Sequence, residues 1–178
     1  ATLLRILALV LIAANASAAE LHVPQVRLPL LKTAPTIDGE VKDDEWAGAA
    51  RMERFGWGGL LSPQEASFWG GSDGKELFIA VVSETQHNGK ILSRVPPLPE
   101  GGDARSWLDD SIEMVLDPLH NDTTGKRRLY HANINSRGAI NDTAYQPNGT
   151  GEAWRGHWRL ASKVIGDRWH FEAALPLK

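Results

Sequence analysis

The sequence predicts an all-β protein, an antiparallel β-sandwich of the immunoglobulin or jelly-roll kind with one short helix near its N-terminus. Three observations carry this. First, Trp107–Pro118 reads WLDDSIEMVLDP, and Ile112, Met114 and Leu116 alternate with Ser111, Glu113 and Asp117. That period of two lays apolar side chains on one face of a strand and mostly polar ones on the other. Second, turn residues recur between short runs rich in β-branched and aromatic side chains, which spaces out about eight strands. Third, at 178 residues the chain is long enough for one domain with a real hydrophobic core, and not for two.

Taken in order, Leu21–Leu31 contains two prolines and reads as an extended opening segment. In Thr33–Ala50, Ile37-Asp38-Gly39 reads as a turn, and Asp43 is placed to cap a short helix that carries Trp46 inward. Arg51–Phe55 is a short strand. Glu65–Trp69 and Glu76–Ser83 are strands joined by the turn GGSDGK. Leu77 through Val82 are all apolar, so both faces of the second strand should be buried and the strand central. Thr85–Arg105, with Pro96, Pro97, Pro99 and Gly101-Gly102, is a long loop of the sort that often carries function.

In the WLDDSIEMVLDP strand, Val115 interrupts the polar row, so its second face should be partly covered too, and Pro118 ends the ladder. Arg127–Asn135 and Ala139–Ala144 follow, with Tyr130, Ala132 and Ile134 facing in and His131, Asn133 and Asn135 facing out. Trp158–Ile165 and Arg168–Leu175 flank Gly166-Asp167, a hairpin signal, and Pro176 stops the last strand.

Composition narrows the function. The formal charge is −3 and the only basic run is Lys126-Arg127-Arg128, which argues against bulk nucleic-acid binding. Without cysteine there is no disulfide scaffold, thiolate metal site or cysteine nucleophile. Seven tryptophans are more than a core of this size needs, and they invite a stacking surface. Arg5, the apolar run Ile6–Ala14 and Ala16-Ser17-Ala18 form a secretory signal pattern over residues 1–18, too short in its apolar part to span a bilayer. The mature chain, from about Ala19, is expected to be secreted or periplasmic with no membrane span. The chain opens at Ala1 and not at methionine, so its start is expected to be missing.

Asp109, Asp110 and Glu113 are the densest carboxylate group. They suit a solvated strand end, or calcium ligation by oxygen; a glycosidase needs two carboxyls facing each other across a bond, which one strand does not supply. The histidines lack metal-ligand spacing. On the outward row, His131 with Asn133 suits sugar hydroxyls and solvent alike. Met114 is a core residue or, alternatively, an axial ligand of a haem-binding electron-transfer domain. GxSxG, P-loop and HExxH patterns are absent.

Several of these stretches together resemble the family 9 carbohydrate-binding module. APTIDGEVKDDEW (Ala34–Trp46) is similar to its opening signature, SFWGGSDGKELFIAVVSE (Ser67–Glu84) to its tryptophan-turn-strand hairpin, and WLDDSIEMVLDP to its acidic-start strand. YHANINSRGAIND and Trp158–Leu175, with Trp169 and Glu172, continue the likeness over nearly all of the mature chain. The resemblance implies a non-catalytic sandwich that binds an oligo- or polysaccharide, often joined to a glycoside hydrolase, and often with structural calcium. It implies that Trp69 stacks on a sugar; Glu113, His131 and Asn133, from the polar strand rows, are the hydrogen-bonding partners that the sugar's edge would need. Calcium would take oxygens from Asp38, or from Asp109 and Asp110. Relatives in the wider superfamily bind haem instead. Family members carry further strands after the one ending at Pro176, so the domain, residues 19–178 here, is expected to continue beyond Lys178. Here Gly70 stands where an acidic residue commonly follows the tryptophan.

Overall fold

The computed structural model describes residues 26–57, 60–85, 90–98, 104–119 and 123–177. The leader expected over residues 1–18 lies outside them. The elements in chain order are helix α1 (Asp43–Trp46) and strands β1 (Ala50–Glu53), β2 (Gly56–Trp57), β3 (Leu60–Leu61), β4 (Ala66–Ser72) and β5 (Glu76–Glu84). A 3-10 turn (Ser106–Leu108) then precedes β6 (Ser111–Leu116), β7 (Leu129–Asn135), β8 (Ile140–Tyr145), β9 (Gly151–Ala153), β10 (Arg159–Ile165) and β11 (Arg168–Pro176).

The strands form a five-stranded sheet in the order β1-β4-β5-β11-β10 and a four-stranded sheet in the order β6-β7-β8-β9, with β2 and β3 a separate small hairpin. Every strand pairing is antiparallel. The all-β sandwich expected from the sequence is the fold. Among the described residues no helix is long and apolar enough to cross a membrane.

The five-stranded sheet is buried on both faces. Along β11, Trp169, Phe171 and Ala173 join Ala132 and Ile134 of β7 in the core between the sheets. Ile112 and Met114 of β6 pack against this core; Met114, weighed above as a haem ligand, lies within that packed layer. On the other face of the five-stranded sheet, Phe78, Ala80 and Ala174 pack with Leu31, Trp46 and Trp69 under an N-terminal layer built from the opening segment and α1. The apolar run Leu77–Val82 is therefore the central strand, flanked by β4 and β11.

One buried carboxylate ties the N-terminal layer to the sheet. Glu172 is fully buried on β11, and its Oε2 accepts from the backbone N–H groups of Asp38 (3.0 Å) and Gly39 (2.8 Å). Its Oε1 accepts from the Trp46 indole N–H at 2.9 Å. Gly39 sits at φ +84°, and a Cβ there would lie 2.9 Å from the Ser162 backbone, so the turn admits only glycine without strain. Ile37-Asp38-Gly39 and Trp46 thus share a physical reason: both present N–H groups to one buried acid.

Two local expectations are corrected. Asp43 is the first helical residue and not the cap; Lys42 holds the cap position and makes no side-chain capping bond. Gly70-Gly71-Ser72, read as turn, extend β4. The opening segment lies directly on them: Leu31 N–H donates to the Ser72 carbonyl (2.7 Å), Ser72 N–H to the Pro29 carbonyl (3.0 Å), and a Cβ on Gly71 would stand 2.7 Å from the Leu31 side chain. The turn proper is Asp73–Lys75, where Asp73 Oδ1 accepts from the N–H groups of Lys75 and Glu76, both at 2.8 Å. The short strands β2, β3 and β9 carry too few residues to show a period.

Candidate functional site

The register of the four-stranded sheet brings Glu113, His131 and Asn133 onto one face. Glu113 lies opposite Asn133, and Val115 opposite His131; on the far side, Asn133 lies opposite Asn141 and His131 opposite Thr143. His131 Nε2 is 2.6 Å from Glu113 Oε1, and the Tyr145 ring stands 6.1 Å away, centroid to centroid. His131 Nδ1 is buried with no hydrogen-bond partner. Asn133, however, does not reach solvent as expected from the alternation. It is 6% exposed, because the 3-10 turn covers it: Ser106 Oγ donates to the Asn133 carbonyl at 2.7 Å. Asn133 Nδ2 donates to Ser111 Oγ (3.1 Å), and its Oδ1 is left without a partner. Both rows of β7 are therefore covered at the Asn133–Asn135 end, one by the other sheet and one by a loop.

Trp69 is placed away from this face and in the other core. It is 7% exposed, packs with Trp46 and Phe78, and has the Arg51 guanidinium 4.9 Å above its ring. The expected stacking ring is thus a packing ring, because the opening segment and α1 cover the side of the sheet on which it projects.

The three candidate metal ligands are engaged elsewhere. Asp38 accepts from the Glu40 N–H (2.9 Å) and from Lys42 Nζ (2.9 Å), and its carboxyl is held below the usual range first by the lysine bond and then by the backbone one. Asp109 Oδ2 accepts from the N–H groups of Arg94 (2.9 Å) and Val95 (2.7 Å) and from Asn135 Nδ2 (2.9 Å). Burial pushes the Asp109 carboxyl up, but these donors and the Arg94 charge outweigh it and hold it below the usual range. Asp110 Oδ2 accepts from the Leu92 N–H at 2.7 Å. Asp109 and Asp110 staple the 92–95 segment to the sheet, and an arginine, with Nε 3.6 Å from Asp109 Oδ1, stands where a cation would be drawn. Among the described residues no three histidine, aspartate or glutamate side chains are grouped to hold a metal ion.

The sandwich is open at both ends. At one end a small polar cavity of about 190 Å³ is lined by Gln64, Ser83, Glu84, Asp110, Ser111 and Trp169. At the other, a cavity of about 460 Å³ opens between the sheets. Tyr130 and Trp154 line it, with centroids 4.9 Å apart and planes at 59°, and Leu77, Leu116 and Leu175 supply further apolar wall. Charged groups stand at its rim. Asp117, a lining residue, pairs with Arg127, whose Nε lies 2.9 Å from Asp117 Oδ2. The Arg159–Glu76 ion pair (2.8 and 3.2 Å) lies away from the mouth, on the face of the five-stranded sheet that carries Phe78 and Ala174. This mouth joins aromatic surface to fixed hydrogen-bonding charge. Sequence reasoning placed Tyr130 on the inner face, and it did not single out Trp154. The inward row of β7 reaches the open end of the sandwich at Tyr130, so an inner residue there meets solvent.

No protein-family profile matches the chain, and no curated protein sequence matches it. Solved structures do. A candidate carbohydrate-binding protein from Bacteroides uniformis superposes with a TM-score of 0.60 at 14% identity, over 84% of this chain and 71% of that one. A family 9 carbohydrate-binding module from Caldicellulosiruptor kristjanssonii, solved with cellotriose, superposes with a TM-score of 0.55 at 18% identity, over 86% of this chain and 68% of that one. The same module solved with glucose gives a TM-score of 0.55 at 18% identity, over 86% and 70%. At these identities what is shared is the fold.

Proposed function

We propose, from a fold shared with a family 9 carbohydrate-binding module, that this chain binds an oligo- or polysaccharide without cleaving it. The observation that carries the reading is the mouth where Tyr130 and Trp154 converge beside Asp117. A pyranose ring has an apolar face of C–H groups that packs on an aromatic ring, and an edge of hydroxyls that needs donors and acceptors. The mouth offers both. One such ring contact with a few hydrogen bonds gives a dissociation constant between micromolar and millimolar, about 4–8 kcal/mol. That strength suits a domain that holds its bearer on a polymer by repeated encounters. We extend the proposal to a secreted or periplasmic setting, on the leader pattern at residues 1–18, and to targeting of an attached glycoside hydrolase during polysaccharide catabolism.

The test is calorimetric titration with cello-oligosaccharides. Trp154→Ala should weaken binding about tenfold or more, a loss of about 1.4 kcal/mol, at a temperature where circular dichroism shows the variant folded. Trp69→Ala, by contrast, should lower thermal stability. Unchanged affinity in a folded Trp154→Ala protein would remove the mouth as the site.

A further inference from the structure

Asp142 is a charged residue in an inward row. It lies on the inner face of the four-stranded sheet, opposite Ala132 and between Ile140 and Ala144 of the same row, and it is 3% exposed. Ala144 stands opposite Tyr130, so Asp142 sits one inner position deeper than the mouth. Taking a carboxylate out of water here costs more than an apolar side chain would, and an ion pair seldom offsets the whole of it. Its contacts say what the charge is for.

Both oxygens engage the segment that carries Trp154. Residues 154–158 lie between β9 and β10, outside the sheet ladders, so no strand pairing fixes the Trp154 backbone. Asp142 Oδ2 accepts from the Gly156 N–H at 2.8 Å, and Oδ1 accepts from Arg155 Nη1 at 3.1 Å. The same Nη1 donates to the Trp154 carbonyl at 2.9 Å. The clamp therefore grips the backbone on both sides of Arg155. The segment needs holding. His157 stands at φ +48°, a left-handed conformation that a residue with a Cβ seldom takes, and a Cβ on Gly156 would run into the Trp158 indole. Trp158 in turn meets the Trp154 ring edge-on, at 6.1 Å and 77°.

We propose that Asp142 is the positioning residue of the mouth: its buried carboxylate fixes the Trp154 ring against Tyr130, so that the aromatic wall is set before a sugar arrives. A ring already in place loses less freedom on binding, which strengthens the complex. The role in sugar binding rests on the saccharide reading above; the hold on Trp154 rests on the Asp142 contacts alone.

The experiment titrates the full chain, Asp142→Asn, Trp154→Ala and the double variant with a cello-oligosaccharide, each where far-ultraviolet circular dichroism shows it folded. Asp142→Asn should weaken binding about fivefold. It should add little to the loss in Trp154→Ala, because it acts through that ring. Without ligand, the near-ultraviolet dichroism removed by Trp154→Phe should be smaller in the Asp142→Asn background, since a ring that samples several orientations averages its signal away. Asp142→Asn/Arg155→Gln removes both members of the ion pair, so that neither is left alone, and should behave like Asp142→Asn; it serves where the single variant does not fold. If neither folds, Asp142 holds the domain and not the ring, and the proposal falls. An undiminished Trp154 signal, or losses of affinity that add, also overturns it. Parental affinity in Asp142→Asn with weakened binding in Trp154→Ala overturns this inference and leaves the mouth standing. A diminished Trp154 signal with no cello-oligosaccharide binding, or with parental affinity in both single variants, overturns the saccharide reading of the mouth.

Discussion

Glu172 shows how one side chain can organise a layer. Its two oxygens take three N–H donors, two from the Asp38-Gly39 turn and one from Trp46, inside a core where water does not replace them. A bond to a charged group is worth roughly twice a neutral one, and a buried donor left alone costs its full desolvation. Glu172→Gln turns one acceptor into an amide that faces N–H groups. We expect a loss of about 2–3 kcal/mol in urea unfolding, with far-ultraviolet circular dichroism unchanged at zero denaturant. Stability within experimental error of the parent would mean that the three contacts are dispensable. His170, two residues away on the same face, accepts from the Val41 N–H through Nδ1 at 3.2 Å and so sits neutral in the fold.

At the scale of elements, β4 runs on through two glycines because another segment needs their space. Gly70 and Gly71 leave room for Leu28 and Leu31, whose segment makes a parallel bridge to Ser72. A methyl group at Gly71 would meet Leu31 at 2.7 Å inside the N-terminal core. Overpacking of this kind typically costs about 1–3 kcal/mol. Gly71→Ala should lower the urea midpoint accordingly, and the compensating variant Gly71→Ala/Leu31→Ala should not add the two losses, because both act on one contact. Full additivity would show that the opening segment is not seated on β4.

Across the whole molecule, acid should act in two stages of the same sign. Burial is the largest influence on His170 and lowers its pKa, with Arg168 acting in the same direction and Glu40 and Glu172 opposing. Below the unfolded value of about 6.5, the unfolded chain takes up a proton that the fold refuses, so stability falls as pH drops from neutral towards the folded pKa. Asp38, Asp73 and Asp109 are all held below the usual carboxylate range. Their contribution is intact above about pH 4 and is lost below it, as the folded carboxylates are forced to protonate. The melting temperature should therefore step down once on the neutral side and again in strong acid. His170→Gln keeps an acceptor for the Val41 N–H and removes the titration, so it should flatten the first step and leave the second. A first step that persists in His170→Gln would assign it to another group.

The sandwich, the central strand and the inward row of β7 are legible in the residues alone, because period-two alternation and an unbroken apolar run report directly which strand faces meet water. The residues also mark Asp38-Gly39, Trp46, Trp69, Glu113 and His131 as positions with a job. What several of those jobs are is set by the packing of distant segments. Whether Trp69 stacks on a ligand or on the core depends on which layer lies over its side of the sheet, and that layer comes from earlier in the chain, between Leu31 and Trp46. Asn133 points outward by alternation yet is covered by a turn from another part of the chain. Tyr130 and Trp154 meet, and Asp109 reaches the 94–95 segment, through strand order and loop crossings. Periodicity reports the face a side chain takes on its own strand; what stands opposite that face is set by long-range packing, which no local pattern encodes.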